Sequence, residues 1–144
     1  RRNAPTNLRL SDLLVLRVRD GELADAVSWV YAWVGAEGVV YVGATGLAPA
    51  TRTWLHLNDE DPNVGRLRAR YPDSAHEDLD VIALRLPEGV DRQEVKHAVV
   101  TRLGERGLLS ERHVCDPPAA TTPSAAADRL VDAAAEHLRP QSSA

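Results

Sequence analysis

The chain of 144 residues has no phenylalanine and no methionine, and only one cysteine and one lysine. Without phenylalanine or methionine, its core must be built from valine, leucine and alanine, helped by three tryptophans and three tyrosines. A single Cys115 excludes an intramolecular disulfide and any multi-cysteine zinc site. No apolar run approaches the ~20 residues that a bilayer-spanning helix needs. The opening Arg1-Arg2-Asn3-Ala4-Pro5 is not followed by the apolar core of a signal peptide. The expectation is a soluble cytoplasmic protein with no membrane partner. A formal net charge of −4 argues against a broadly basic nucleic-acid binder, since neutralising phosphates takes clustered arginine and lysine. Arg66, Arg68 and Arg70 nevertheless cluster, and a local patch matters more than the total.

What is present centres on residues 29–56. Trp29, Tyr31 and Trp33 alternate with Val30, Ala32 and Val34, the period of a strand. Val39-Val40-Tyr41-Val42 is a second run of β-branched and aromatic residues. Gly35-Ala36-Glu37-Gly38 lies between them as a loop, so the pair reads as a β-hairpin with one tyrosine near the middle of each strand. Gly43-Ala44-Thr45-Gly46 then leads to a helix opened by Pro49 and running to about Leu57. The expectation is that Leu55 and the Ala48/Thr51 side of this helix face the sheet. Arg52 and His56 are spaced i, i+4 and share a face.

Around this centre the remaining elements follow from local signals. Residues 1–26 read as an arm with a short helix over Leu13, Leu14 and Leu16, capped by Ser11 and Asp12, although Leu14, Leu16 and Val18 also alternate as a strand would. Asp20-Gly21 turns the chain. A short basic helix is expected over 63–70, with Arg66 and Arg70 on one face and Val64 and Leu67 inward. Residues 71–78 read as loop, and Val81-Ile82-Ala83-Leu84 as a buried strand. Asp91 and Glu94 have the spacing of a capping box, ahead of a helix with an apolar stripe through Val95, Val99 and Leu103 that ends at Gly104 and Gly107. Residues 111–144 read as a linker, an alanine-rich helix capped by Ser124, and a disordered tail after Arg139. The weak apolar side of that helix, Leu130, Val131, Ala134 and Leu138, suits docking on the domain or on a second subunit. The fold class is therefore α+β, a small three-stranded sheet with antiparallel pairing, flanked by helices. The main domain spans 27–110, with N- and C-terminal helical extensions.

The central stretch resembles the GIY-YIG nuclease superfamily. Trp29-Val30-Tyr31 stands where the family has its first tripeptide, and Tyr41-Val42-Gly43 is a conservative form of the second. Thr45 follows the motif glycine by two residues, Arg52 sits where the family carries its catalytic arginine, and His56 where it often has histidine or tyrosine. The resemblance runs from Trp29 to about Leu103. It implies a metal-dependent DNA endonuclease with Tyr31 as general base, Tyr41, Arg52 and His56 in support, and Thr45, Arg66 and Arg70 on the substrate. Each role has a chemical basis. Arginine's fork bonds two phosphate oxygens and keeps its charge. Histidine can relay a proton near neutral pH. A tyrosine whose ordinary pKa is about 10 needs a cation nearby before it loses its proton.

The same resemblance implies a divalent metal, Mg²⁺ or Mn²⁺, held by a glutamate on the helix after the third strand. Aligning Val99-Val100 with the family's apolar pair puts Lys96 at that position. Glu94, the nearest acid, lies two residues earlier, about 200° around the helix. Three alternatives stand: a shifted register that brings Glu94 inward, substitution by Glu77 or Glu88, or loss of the metal site. Other departures are Trp29 in place of the first motif glycine, one extra residue between Gly43 and Arg52, and His113-Val114-Cys115 where an asparagine is usual. Two further readings compete with the nuclease. One is a catalytically degenerate domain that binds nucleic acid or protein. The other is an enzyme for a small anionic substrate.

Overall fold

The structure, a computed structural model, describes residues 13–24, 26–117 and 123–139. The expected caps Ser11 and Asp12, part of the linker, and the tail from residue 140 lie outside them. The described residues form β1 (Val18–Arg19), β2 (Glu22–Leu23), β3 (Trp29–Gly35), β4 (Gly38–Thr45), α1 (Pro49–Asn58), α2 (Arg66–Arg70), β5 (Asp80–Arg85), α3 (Arg92–Glu105) and α4 (Ala125–Leu138). The fold is α+β. Its sheet is three-stranded and antiparallel in the order β4-β3-β5, with a separate two-stranded ribbon of β1 and β2.

Four local expectations need correction. The segment 13–17 is not helical, and Leu13, Leu14, Val15 and Leu16 are exposed. The alternation of that stretch ends instead in the β1–β2 ribbon. Asp20 and Gly21, with φ of 53° and 78°, turn it as a tight hairpin requires. The hairpin loop between β3 and β4 is only Ala36-Glu37, because Gly35 and Gly38 already pair. The basic helix starts at Arg66 rather than residue 63, and the stretch expected as loop contains a 3₁₀ turn over Pro72–Ala75.

The sheet divides the side chains between two cores. Val30, Ala32 and Val34 of β3, with Val39 and Val42 of β4, pack under Val95, Ala98, Val99 and Leu103 of α3. Ala127, Leu130, Val131 and Ala134 of α4 complete this layer, so the apolar side of α4 is used within the chain. Asp91 caps α3 by accepting from the backbone N–H groups of Gln93 (2.8 Å) and Glu94 (3.3 Å), and Ser124 caps α4 through Ala127 N–H. Tyr31, Trp33, Val40, Tyr41, Leu67 and Tyr71 form the core of the other face.

A bulge decides which β4 residues reach that second face. Trp33 pairs with Tyr41, yet Val34 pairs with Val39, leaving Val40 as the extra residue. Strict alternation would put Val39 and Tyr41 on one side. The bulge sends Val39 to the α3 side and Tyr41 to the side of Tyr31 and Trp33. The outer edge of β4 is covered by the chain that follows α3. Val39 N–H donates to Leu108 O (2.9 Å), Ser110 N–H to Val39 O (2.9 Å) and Val114 N–H to Val40 O (2.7 Å).

Candidate functional site

Three elements bring Tyr31, Tyr41 and His56 together. Tyr31 on β3 and Tyr41 on β4 project from the same face, with ring centroids 6.4 Å apart. The register places Gly43 opposite Tyr31. A Cβ on Gly43 would stand 2.4 Å from the Tyr31 hydroxyl and 2.5 Å from Cζ, so the motif glycine is the space in which the first tyrosine's ring lies.

α1 lies over this face. Its inward side includes Arg52 and His56, and Leu55 is half-buried as well, while Ala48 and Thr51, expected to face the sheet, are exposed. His56 is fully buried, and its ring meets those of Tyr41 (5.1 Å), Tyr31 (5.7 Å) and Trp33 (5.7 Å) edge-on. Its Nε2 is 2.6 Å from the Tyr31 hydroxyl oxygen. Burial, then the charges of Arg52 and Arg66, push the imidazole down to about 3, so it is neutral at ordinary pH. Burial pushes the Tyr31 phenol well above its ordinary range and Tyr41 adds to this, against the opposing pull of Arg52 and Arg66.

Two arginines border the aromatic group. Arg52 Nη1 donates to Val64 O (2.8 Å), which ties α1 to the loop before α2. Arg66 Nε donates to Asn63 O (3.1 Å), and its Nη1 lies 3.5 Å from the Tyr41 hydroxyl, a long contact. Both guanidiniums are partly exposed and keep donors for an anion. Thr45 is buried, and its Oγ1 accepts from Leu47 N–H (3.0 Å), so it fixes the turn from β4 into α1. Arg70 is exposed and pairs with Asp116 at 3.3 Å.

The acidic residues are elsewhere. Glu94 is exposed in the first turn of α3. Glu77 accepts from the Tyr71 hydroxyl (2.6 Å) and is paired with Arg112, which also donates to Asp73 (2.9 Å). Glu88 is exposed in the turn after β5. Lys96, at the position aligned with the family's glutamate, is buried and donates to Asp116 (3.1 Å). Burial raises the Asp116 carboxyl, but Lys96 and then Arg70 outweigh it and hold the group below the usual carboxylate range. Mg²⁺ keeps several of its waters, but it still needs one or two carboxylates free to hold it. Here the carboxylate beside Lys96 is already neutralised by two cations, and among the described residues no group of three or more His, Cys, Asp or Glu side chains could hold a metal ion. As paired here, Asp116 is not free to hold Mg²⁺ or Mn²⁺.

The structure thus gathers Tyr31, Tyr41, His56, Arg52 and Arg66, and separates them from Glu94. Asp116 and Trp33 are the members that reading the sequence did not find. Trp33 follows Tyr31 by two residues, and strand alternation carries that signal. Asp116 pairs with a lysine 20 residues earlier, and no local pattern marks it. No protein-family model, no curated protein and no solved structure matches the chain. None of the helices among the described residues is long and apolar enough to cross a membrane.

Proposed function

We propose that this chain is a GIY-YIG-type domain that takes the phosphate backbone of a nucleic acid, DNA in the first instance, at the Tyr31–Tyr41–Arg52–His56 group. The observation that carries the reading is the meeting of these four residues, from two strands and one helix, around the 2.6 Å contact between Tyr31 and His56. Arg52 and Arg66, the partly exposed members at the border of the buried tyrosines, supply permanent positive charge and forked donors, which suits a phosphodiester oxygen pair. The overall charge of −4 favours a narrow footprint of few phosphate contacts.

The reading extends to binding without hydrolysis. Hydrolysis requires a group that accepts a proton from water and a cation that offsets the charge developing on phosphate. In the free chain burial raises the Tyr31 phenol and lowers the His56 imidazole, so proton exchange at either would need a bound charge to offset that burial. Lys96 and Asp116 neutralise each other where a metal-binding acid would be needed. The convergence of the motif residues favours a second reading, a DNA endonuclease using Mg²⁺ or Mn²⁺, which would require Asp116 to leave its two cations or Glu94 to turn inward.

The test pairs binding with cleavage. Fluorescence anisotropy on double-stranded, branched and single-stranded DNA, titrated with salt, should give binding that weakens in Arg52→Ala. Supercoiled plasmid incubated with Mg²⁺ or Mn²⁺ should stay intact. Nicking that needs the metal and is lost in Arg52→Ala would replace this reading with the endonuclease. Neither binding nor nicking by the folded protein would overturn both.

A further inference from the structure

β5 is an edge strand without the usual protection. It pairs with β3 on one side only. Leu86 N–H donates to Ser28 O (2.9 Å) and continues that ladder, so Ile82 and Leu84 aim their backbone groups at β3, while Val81, Ala83 and Arg85 aim theirs outward. Those outward groups meet no backbone partner among the described residues, whereas the opposite edge of the sheet, on β4, is covered by residues 108–114. β5 carries no proline, lysine or bulge, and its only charges, Asp80 and Arg85, are at its ends. A groove of about 680 Å³ lies between this strand and α4, with Ile82, Ala83, Leu84, Ala125 and Ala133 as its apolar lining.

The same chain exposes an apolar segment that its own fold does not cover. Leu13, Leu14, Val15 and Leu16 are 65–82% exposed, just ahead of the β1–β2 ribbon. An unbroken apolar run suits a strand covered on both faces. β5 offers apolar neighbours on both, Ile82 and Leu84 on the α4 side and Val81 and Ala83 on the tyrosine side. The charges are complementary as well. Residues 1–19 hold five arginines and one aspartate, a net charge of +4 on a chain of −4, so the remainder is −8. Asp128 and Asp132 at the groove already pair with Arg102 and Arg106 of α3, and Arg129 lies beside them, so this attraction acts at long range instead of through fixed pairs.

We infer that two copies of this chain exchange arms: residues 13–16 of each copy add as a strand to the free edge of β5 in the other and fill the groove beside α4. In its own chain the segment is held off the sheet by the ribbon, where Ala24 N–H donates to Arg17 O (2.8 Å). A two-fold axis makes each copy both donor and acceptor, which pairs both edges and closes the assembly. Burying a leucine or valine removes roughly 60–120 Å² of apolar surface. Two arms of four such residues, with the surfaces they cover, therefore clear the roughly 1,000 Å² that a specific interface needs. Neither contributing surface includes Arg52, Arg66 or the tyrosines, so dimerisation and DNA binding can fail separately.

The test is sedimentation velocity of the full chain from low to high micromolar concentration. A monomer–dimer equilibrium is expected, weakening as salt rises. Leu14→Asp combined with Leu16→Asp changes only side chains that are exposed in the monomer, and should weaken the dimer about tenfold or more while circular dichroism stays unchanged. Ala83→Pro removes an outward N–H, leaves the β3 ladder complete, and should do the same. Mixing the arm variant with Ala83→Pro should restore dimers, because one intact arm then meets one intact edge. If Ala83→Pro does not fold, the arm variant decides alone. A parent that stays monomeric would leave the edge to its own arm or to a different protein, and would overturn the exchange. So would a dimer that the arm variant leaves unchanged, or a mixture of folded variants that dimerises no better than either one.

Discussion

Acid should destabilise this protein through His56 in a way that one substitution can isolate. The imidazole is fully buried and its pKa falls from 6.5 to about 3 on folding. Between these values the unfolded chain holds a proton on His56 that the folded chain refuses, so stability rises with pH across that window. The contribution is fully present above about pH 6.5, declines as pH falls, and is spent near pH 3. At about 1.4 kcal/mol per unit, the whole window corresponds to about 5 kcal/mol, and the part lost between about pH 7.5 and about pH 5 is about 2 kcal/mol. Urea unfolding of the parent and of His56→Gln at a series of pH values measures it. The glutamine does not titrate, and both proteins share the carboxylates and the other histidines. The stability difference between them should therefore shrink by about 2 kcal/mol over this range. Parallel pH profiles would refute the reasoning, because they would mean that folding does not depress the His56 pKa.

Three further outcomes follow from the packing. Gly43→Ala should displace the Tyr31 ring, since the new Cβ would fall 2.4 Å from its hydroxyl. A stability loss of about 1–3 kcal/mol is expected, together with a change in the His56 ring resonances. Asp116→Ala removes the partner of buried Lys96, and should cost about 2 kcal/mol in urea unfolding, less than a fully enclosed pair would because Asp116 remains partly exposed. Lys96→Met made together with Asp116→Ala should recover part of that loss. Leu130→Ala, at a position only 1% exposed between α4 and the sheet, should lower stability by about 2–4 kcal/mol in one cooperative transition. A separate early transition for α4 would show that this helix is not part of the common core.

The elements that local sequence governs could be read with little help. Trp29 to Val34 alternates because a half-turned strand repeats every two residues, Asp91 and Ser124 cap helices because their side chains reach the first free N–H groups, and Arg52 and His56 share a face because of helical pitch. The turn at Asp20-Gly21 and the strand around Ile82 follow in the same way. These features depend on neighbours a few residues apart, so one chain of letters contains them.

What only the tertiary structure decided depends on distant partners. The bulge at Val40 sets which face Tyr41 occupies, and it is defined by β4 against β3 rather than by either strand alone. The sheet lies on the His56 side of α1 and leaves Ala48 and Thr51 exposed, a choice that the helix's own pattern does not announce. Lys96 gains its meaning from Asp116, delivered by the strand-like segment along the edge of β4. The sequence by itself therefore determined an α+β hairpin domain with two tyrosines, an arginine and a histidine in order. Tertiary packing decided the burial of that group and the pairing of Asp116 with Lys96 and Arg70, because burial and long-range charge act through space and leave no period in the chain.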